Sequence, residues 1–395
     1  MKRLLFIGAL VSVGLALVSN AQALEFTGYF ENRFYPRELK DEVVLQDYNK
    51  LRLDLSAEAS ENVTFNGDYI YRTFHGATRL NTLDLIPDRV VSEYADSQGT
   101  TVDSLRPLFE IELDDENFLD NAYVTLYFEH VNIRIGKQQL PWGTGYTWNP
   151  TDIFNVKNAL DPTYEKEGVN AFKVELPFAI EGMITAILGI DEDLGSSTKA
   201  LKGKHHVLGF DLSLSFVEKE QGGFDYILSK ELSERRRLLG ADFSGQLLGL
   251  GVWGEGAYNL MEDSEDFGQY LLGADYTLES GLYFIGEYYK NGLGKTNKEH
   301  YDFNDWMRFL GDEGENLGKD YLFLGERYLI TELWTWANYL VINLNDTSGV
   351  FFPWFDYSLG DNTELTFVGY VAFGERETEF GEFGIGGFAR IRVYF

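Results

Sequence analysis

Lys50-Leu51-Arg52-Leu53-Asp54-Leu55-Ser56-Ala57-Glu58-Ala59 alternates polar and apolar residues, and after Ser60-Glu61-Asn62 the alternation resumes from Val63 to Arg72. Successive side chains of an extended chain point to opposite faces, so Leu51, Leu53, Leu55 and Ala57 make one apolar face, and Lys50, Arg52, Asp54 and Ser56 make a charged one. The second segment matches it, with Val63, Phe65, Tyr69 and Tyr71 set against Thr64, Asn66, Asp68 and Arg72. The two read as a hairpin of period two.

Working outward, a first strand is expected at 25–35. Further runs fall near 119–128, 132–140, 168–177, 181–190, 205–217, 222–230, 236–245, 247–259, 268–278, 281–291, 320–329, 333–344, 349–359, 362–373 and 385–395. That makes eighteen strands, or sixteen if 222–230 and 320–329 are dropped. Short connections such as Glu129-His130-Val131 and Glu279-Ser280 alternate with long acidic ones at 75–118, 141–167 and 292–319. Mean hydropathy is only −0.22 although 15% of residues are aromatic. Both a soluble β-rich protein and a transmembrane barrel fit those averages. The alternation, with its asymmetric connections, selects an all-β, antiparallel up-and-down transmembrane barrel, its termini and short turns at the periplasmic side.

The ends agree with export. Met1-Lys2-Arg3, an apolar stretch from Leu4 to Val18 and Ala21-Gln22-Ala23 have the pattern of a cleavable signal peptide over 1–23, leaving 24–395 as a single barrel. The last strand places Ala389, Ile391, Val393 and Phe395 on one face and Arg390, Arg392 and Tyr394 on the other. In this it resembles Gram-negative outer-membrane proteins, whose terminal Phe serves as the signal read by the barrel-assembly machinery. The resemblance implies an outer-membrane location, with lipid and lipopolysaccharide as surroundings.

The net charge is −30, and loss of Lys2 and Arg3 with the leader makes it −32. A nucleic-acid partner is excluded by sign. Without cysteine there are no disulfides, thiolate metal sites or Cys nucleophiles. His75, His130, His205, His206 and His300 fall in no catalytic or metal pattern, so no catalytic residue, metal or cofactor is expected. The acidic clusters Asp114-Asp115-Glu116, Asp191-Glu192-Asp193, Glu262-Asp263 with Glu265-Asp266, and Glu375, Glu377, Glu379 and Glu382 read as solvated loop faces. Arg235-Arg236-Arg237 is placed in a short external loop.

The most distinctive stretch runs from Gly136-Lys137-Gln138-Gln139-Leu140-Pro141-Trp142-Gly143-Thr144-Gly145-Tyr146 through Thr147-Trp148-Asn149-Pro150-Thr151-Asp152 to Asn155. Its turn residues and its aromatics, Trp142, Tyr146 and Trp148, require something to pack against. In strand order this is the third external loop, which in porins folds into the lumen as a constriction; a rim loop stapled by its aromatics fits equally. Polar faces pointing inward would line one arc of the lumen with Arg33, Lys50, Arg52, Arg72, Arg134, Lys173, Arg390 and Arg392. On an inward loop, Asp152, Asp161, Glu165 and Glu167 would oppose them and set up a transverse field, with Asn149 among the constriction residues. The same cations also suit structural pairing with Asp54, Glu58, Asp68 and Glu175. A porin-like channel for passive or substrate-selective diffusion of small hydrophilic solutes is the function this implies. A barrel scaffold around an enclosed or exported partner, such as a polymer, a lipoprotein or an electron carrier, is the alternative, and the oligomeric state is left open.

Overall fold

The computed structural model describes residues 23–40, 42–154, 165–190, 196–311 and 315–395. The leader, Asn155, Asp161 and the Asp191-Glu192-Asp193 cluster lie outside them. Eighteen antiparallel strands, from Ala23–Leu39 to Ile385–Tyr394, form one sheet in sequence order. The sheet closes on itself, with Tyr29 opposite Tyr394 and Arg33 opposite Arg390. At the seam Phe395 and Gly28 exchange two backbone bonds of 3.0 and 3.1 Å. Closure satisfies the edge N–H and C=O groups that an open sheet would leave bare. Among the described residues no helix is long and apolar enough to cross a membrane.

Alternation fixes the two faces. Along the first strand Phe26, Phe30 and Phe34 are exposed on the outer face, whereas Tyr29, Glu31 and Arg33 are buried inside. The second strand, Glu42–Ser60, and the third, Val63–Gly76, pair as the opening hairpin with Lys50 opposite Arg72, both inward. The strand at 320–329 is present as Asp320–Thr331, which settles the count at eighteen.

Three expectations need correction. The runs at 205–217 and 222–230 are in fact Lys199–Val207 and Phe210–Asp225, the eighth and ninth strands. The turn between them, Leu208-Gly209, has φ of 53° and 83°, and the turn Leu248-Gly249 repeats it at 54° and 85°. Two residues of positive φ suit the right-handed twist of a hairpin, so an apolar Leu-Gly pair makes a turn that apolarity disguises as strand. His205 and His206 therefore end a strand rather than open one. Arg235-Arg236-Arg237 lies within the tenth strand, Lys230–Leu247, opposite Glu220, Lys219 and Glu218, rather than in a loop.

The long connections gather at one end of the barrel. The second, after the third strand, carries a small hairpin of Arg79–Asn81 and Glu110–Glu112 and a helix, Asp88–Ser97. The seventh carries the helix Phe303–Leu310, started by a reciprocal Asp302–Asp305 capping box. Tyr94 stacks on Phe303 at 3.8 Å between centroids, Gln98 donates to the Ile227 carbonyl (2.9 Å) and Arg89 pairs with Glu377 (2.9 Å). The second loop thus reaches the fifth, seventh and ninth loops across the mouth, over a core that includes Trp306, Phe309 and Phe380.

Glu379 departs from the expected solvated loop face. It is fully buried and accepts bonds from Asn316 (3.0 Å), the Leu317 N–H (3.1 Å), Tyr321 (2.5 Å) and Asn343 (2.6 Å). Neighbouring Phe380, which is wholly buried, carries it into the lid. Burial pushes its carboxyl up to about 7, against the lowering effect of the Tyr321 and Asn316 bonds.

Candidate functional site

Between the fifth strand, Asn132–Gln138, and the sixth, Val169–Phe178, the third loop leaves the wall and enters the barrel. Leu140, Trp142 and Ile153 pack on Ala171, Ile187, Ala200, Val217, Leu238 and Ala257, the inward residues of strands six to eleven. Further along, Trp148 stacks on Tyr289 at 5.0 Å and Tyr146 on Phe323 at 5.4 Å. Those rings stand on the thirteenth and fourteenth strands, Tyr283–Asn291 and Asp320–Thr331, eight and nine strands around an eighteen-strand circle from where the loop began. A loop that touches both sides of the circle from within crosses the lumen; the rim placement does not hold.

Two buried wall carboxylates hold it there. Glu255, on the eleventh strand Leu250–Met261, accepts the Thr144 N–H (2.8 Å), the Thr151 N–H (2.5 Å) and the Thr151 hydroxyl (2.7 Å). Glu287, two strands on, accepts the N–H groups of Tyr146 and Thr147 (the latter at 2.7 Å) and the Trp253 indole N–H (2.7 Å). Hydrogen bonds to a charged acceptor contribute ~1.5–3 kcal/mol each. Peptide N–H groups therefore balance charges that would otherwise be costly to bury. The glycines of the motif make this possible. Gly143 has φ +83°, and a Cβ there would stand 2.7 Å from the Glu255 carboxylate; at Gly145 it would stand 1.9 Å from the Trp148 carbonyl.

The loop closes on itself and on the opposite wall. Asp152 is buried, accepts the Trp142 N–H (3.1 Å) and pairs with Lys166, while Asn149 donates to the Trp142 carbonyl (3.2 Å). Trp148 donates its indole N–H to Asn316 (2.8 Å), which itself holds Glu379, so the crossing loop is bonded to the lid. Beyond the crossing, Glu165 meets Lys50 (2.6 Å) and Arg392 (3.0 Å) and receives the Tyr29 hydroxyl (3.2 Å). Burial raises the Glu165 carboxyl, but Lys50 and then Arg392 outweigh it and hold it at about 2. Glu167 is exposed.

The eight basic residues face inward on strands eighteen, one, two, three, five and six, and most are paired. Arg52 engages Asp54 (2.7 Å), Asp68 (2.9 Å) and Asp120 (3.1 Å), Arg72 engages Glu116 (2.7 Å) and Lys173 engages Glu175 (2.9 Å). Arg33 and Arg392 share Glu31 at 3.3 and 2.5 Å, and Arg390 donates to Thr366 (2.8 Å). Arg134 lies 4.4 Å from the Tyr123 ring centre and donates to Thr125 (3.1 Å). Of the four loop acids expected to oppose this arc, buried Asp152 pairs with Lys166, and Glu165, whose side chain stays 39% exposed, pairs with Lys50 and Arg392. They supply no open transverse field.

Sequence reasoning singled out the loop and the cations and did not single out Glu255 and Glu287. The available signal was an acid at an inward position beside Trp253 and Ala257, and another between Ile285 and Tyr289.

No protein-family model and no curated protein matches the sequence. Solved structures match the fold. OccAB1 of Acinetobacter baumannii superposes with a TM-score of 0.57 at 11% identity, over 96% of this chain and 98% of that one. OccAB4 of the same organism gives 0.55 at 8% identity, over 95% and 98%. A variant of OccD1 (OprD) gives 0.53 at 11% identity, over 95% and 96%. With its closed eighteen-strand sheet, the chain has the fold of the porin-type barrels of outer membranes.

Proposed function

We propose that this protein is an outer-membrane channel through which small hydrophilic solutes diffuse, with the third loop as its constriction. The observation that carries the reading is a loop crossing the interior of a barrel whose inner face is charged and whose outer face is apolar. A polar interior of this breadth holds water. The leader directs export, the terminal Phe395 is read by the barrel-assembly machinery, and the long-loop end faces lipopolysaccharide and the exterior.

The lining consists of Arg33, Lys50, Arg52, Arg72, Arg134, Lys173, Arg390 and Arg392, and the constriction of Trp142, Tyr146, Trp148, Asn149, Asp152, Glu165 and Glu167. Interleaved carboxylates make the wall a mosaic, which orients dipolar solutes more than it sorts ions by sign. Tyr146, half exposed, offers a ring face to what passes. The test is single-channel current of the refolded mature protein in a planar bilayer under a salt gradient. Steady conductance is expected, with a reversal potential near zero; a folded barrel that passes no current overturns the reading.

A further inference from the structure

We propose that the outer face of strands thirteen to sixteen is the contact surface for a second copy of this chain, arranged about a two-fold axis along the membrane normal. The proposal rests on the membrane reading above. Its starting point is a hydrogen-bonded polar pair in the wrong solvent. Glu326 and Asn338 are register partners on the fourteenth strand and the fifteenth, Trp334–Asn343, and the Asn338 amide donates to the Glu326 carboxylate at 2.8 Å. Tyr321 and Phe323 of the same strand are buried inward and Leu324 is exposed, so Glu326 shares the outer face with Leu322 and Leu324. On the fifteenth strand the inward residues are Tyr339 and Val341, which leaves Asn338 outside with Trp336 and Leu340.

The pair lies in the middle of the apolar band. Outward Leu322 and Leu324 stand on its long-loop side, and outward Tyr328, opposite Trp336, on its short-turn side. At ~3.3 Å per residue and a strand tilt of ~40°, the outward stretch from Leu322 to Tyr328 rises ~15 Å, which sets the pair inside the ~25 Å apolar height of such barrels. Acyl chains offer neither donor nor acceptor to the second carboxylate oxygen or the remaining amide groups, and a charged side chain on a lipid face is destabilising.

A second copy supplies what lipid cannot. A two-fold axis along the normal exchanges left and right between facing surfaces, so an axis between these strands sets Glu326 against Asn338 of the other copy, twice, at nearly equal height. An adjacent acceptor and donor are thereby self-complementary. The surrounding shape fits the same operation. Beside Glu326 lies an apolar notch of about 540 Å³ bounded by Ala274, Gly286 and Phe284 on one side and by Leu340 and Phe351 on the other. The axis that pairs the polar groups brings the aromatic flank of the sixteenth strand, Ser348–Gly360, over the Ala274–Gly286 floor of the partner.

The chain has no cysteine, so single-cysteine variants report contacts cleanly. Leu324→Cys, beside the polar pair on the outer face, and, as the control on the opposite wall, Phe172→Cys would be treated with a short bis-maleimide in isolated outer membranes. Glu326→Leu/Asn338→Leu would be sized in detergent beside the native protein, with heat-modifiable migration checking that each barrel is folded. The proposal expects a cross-linked pair from Leu324→Cys at least tenfold above the control, and a native dimer that the double-leucine variant loses while remaining folded. Equal cross-linking at both positions, an unchanged mass in the double-leucine variant, or native mass spectra showing one chain with a retained lipid would overturn it. Folded barrels that remain monomeric refute the interface alone; a chain that never enters the outer membrane removes both readings.

Discussion

Replacing Glu255 and Glu287 together by glutamine should release the third loop from the wall without unfolding the barrel. Glutamine keeps the length of glutamate but retains one acceptor oxygen and turns an NH2 group toward the donors that met the other. On Glu255 one oxygen serves Thr144 and the other serves Thr151; on Glu287 they serve Tyr146 and Thr147 separately. Each substitution therefore strands at least one buried loop N–H, at a cost of ~1–3 kcal/mol, and removes the charge that strengthened the rest. The pair together comes to ~2–6 kcal/mol, which shifts the ratio of docked to undocked loop by about one and a half to four powers of ten. The strands keep their ladder, so the loss appears in the loop. Single-channel recording should show larger mean conductance or rapid switching between two levels, with each single variant intermediate. Conductance and noise identical to the native protein, in a double variant whose heat-modifiable migration shows a folded barrel, would refute the assignment of these carboxylates as the anchors of the loop.

Gly143→Ala should reproduce the Glu255 phenotype, since its Cβ would enter the space of the carboxylate; the same recordings check it. Glu165→Gln leaves Lys50 and Arg392 without their loop carboxylate, so the reversal potential in a salt gradient should move toward anion preference, and Lys50→Gln should move it the other way. The lid should tighten in acid. Glu379 is held at about 7 when folded against about 4.5 unfolded, so the folded state binds the extra proton between those values; the stabilisation is full below pH 4.5 and is lost as pH rises through 7. Its upper bound is on the order of 3 kcal/mol. Amide exchange in residues 374–384, corrected for intrinsic rates, should be more protected at pH 5 than at pH 8, and Glu379→Gln should abolish the difference.

The barrel was legible because every strand states its own orientation: Leu51, Leu53 and Leu55 against Lys50, Arg52 and Asp54 needs no knowledge of the rest of the chain. The misplaced boundary at Leu208-Gly209 marks the limit of that reading, since leucine continues an apolar run while the positive φ of both residues ends the strand. What local pattern cannot supply is where a long loop goes. The aromatics of 142–148 showed that the loop must be covered, and nothing in their spacing says by which wall, because Tyr289 and Phe323 lie some 140 to 180 positions further along the chain. Glu379 escaped for a related reason: among Glu375, Glu377 and Glu382 it looks like one more solvated acid, and only Phe380 beside it betrays the buried side of the loop.

Glu255 and Glu287 show why the path of the third loop inside the barrel lay beyond the sequence. An inward glutamate in a polar barrel is ordinary lining until a particular backbone is laid across it, and that backbone exists only because Gly143 adopts φ +83° within contact of the carboxylate. The acceptors and the glycines explain one another, and they stand more than a hundred residues apart. The same logic ties the far end of the loop to Lys50 and Arg392 through Glu165, so the segment inside the barrel is fastened by charge on both walls. Cutting either fastening should therefore widen or destabilise the passage while sparing the barrel, and a channel indifferent to both would mean that its resistance lies in the lid of the second, seventh and ninth loops instead.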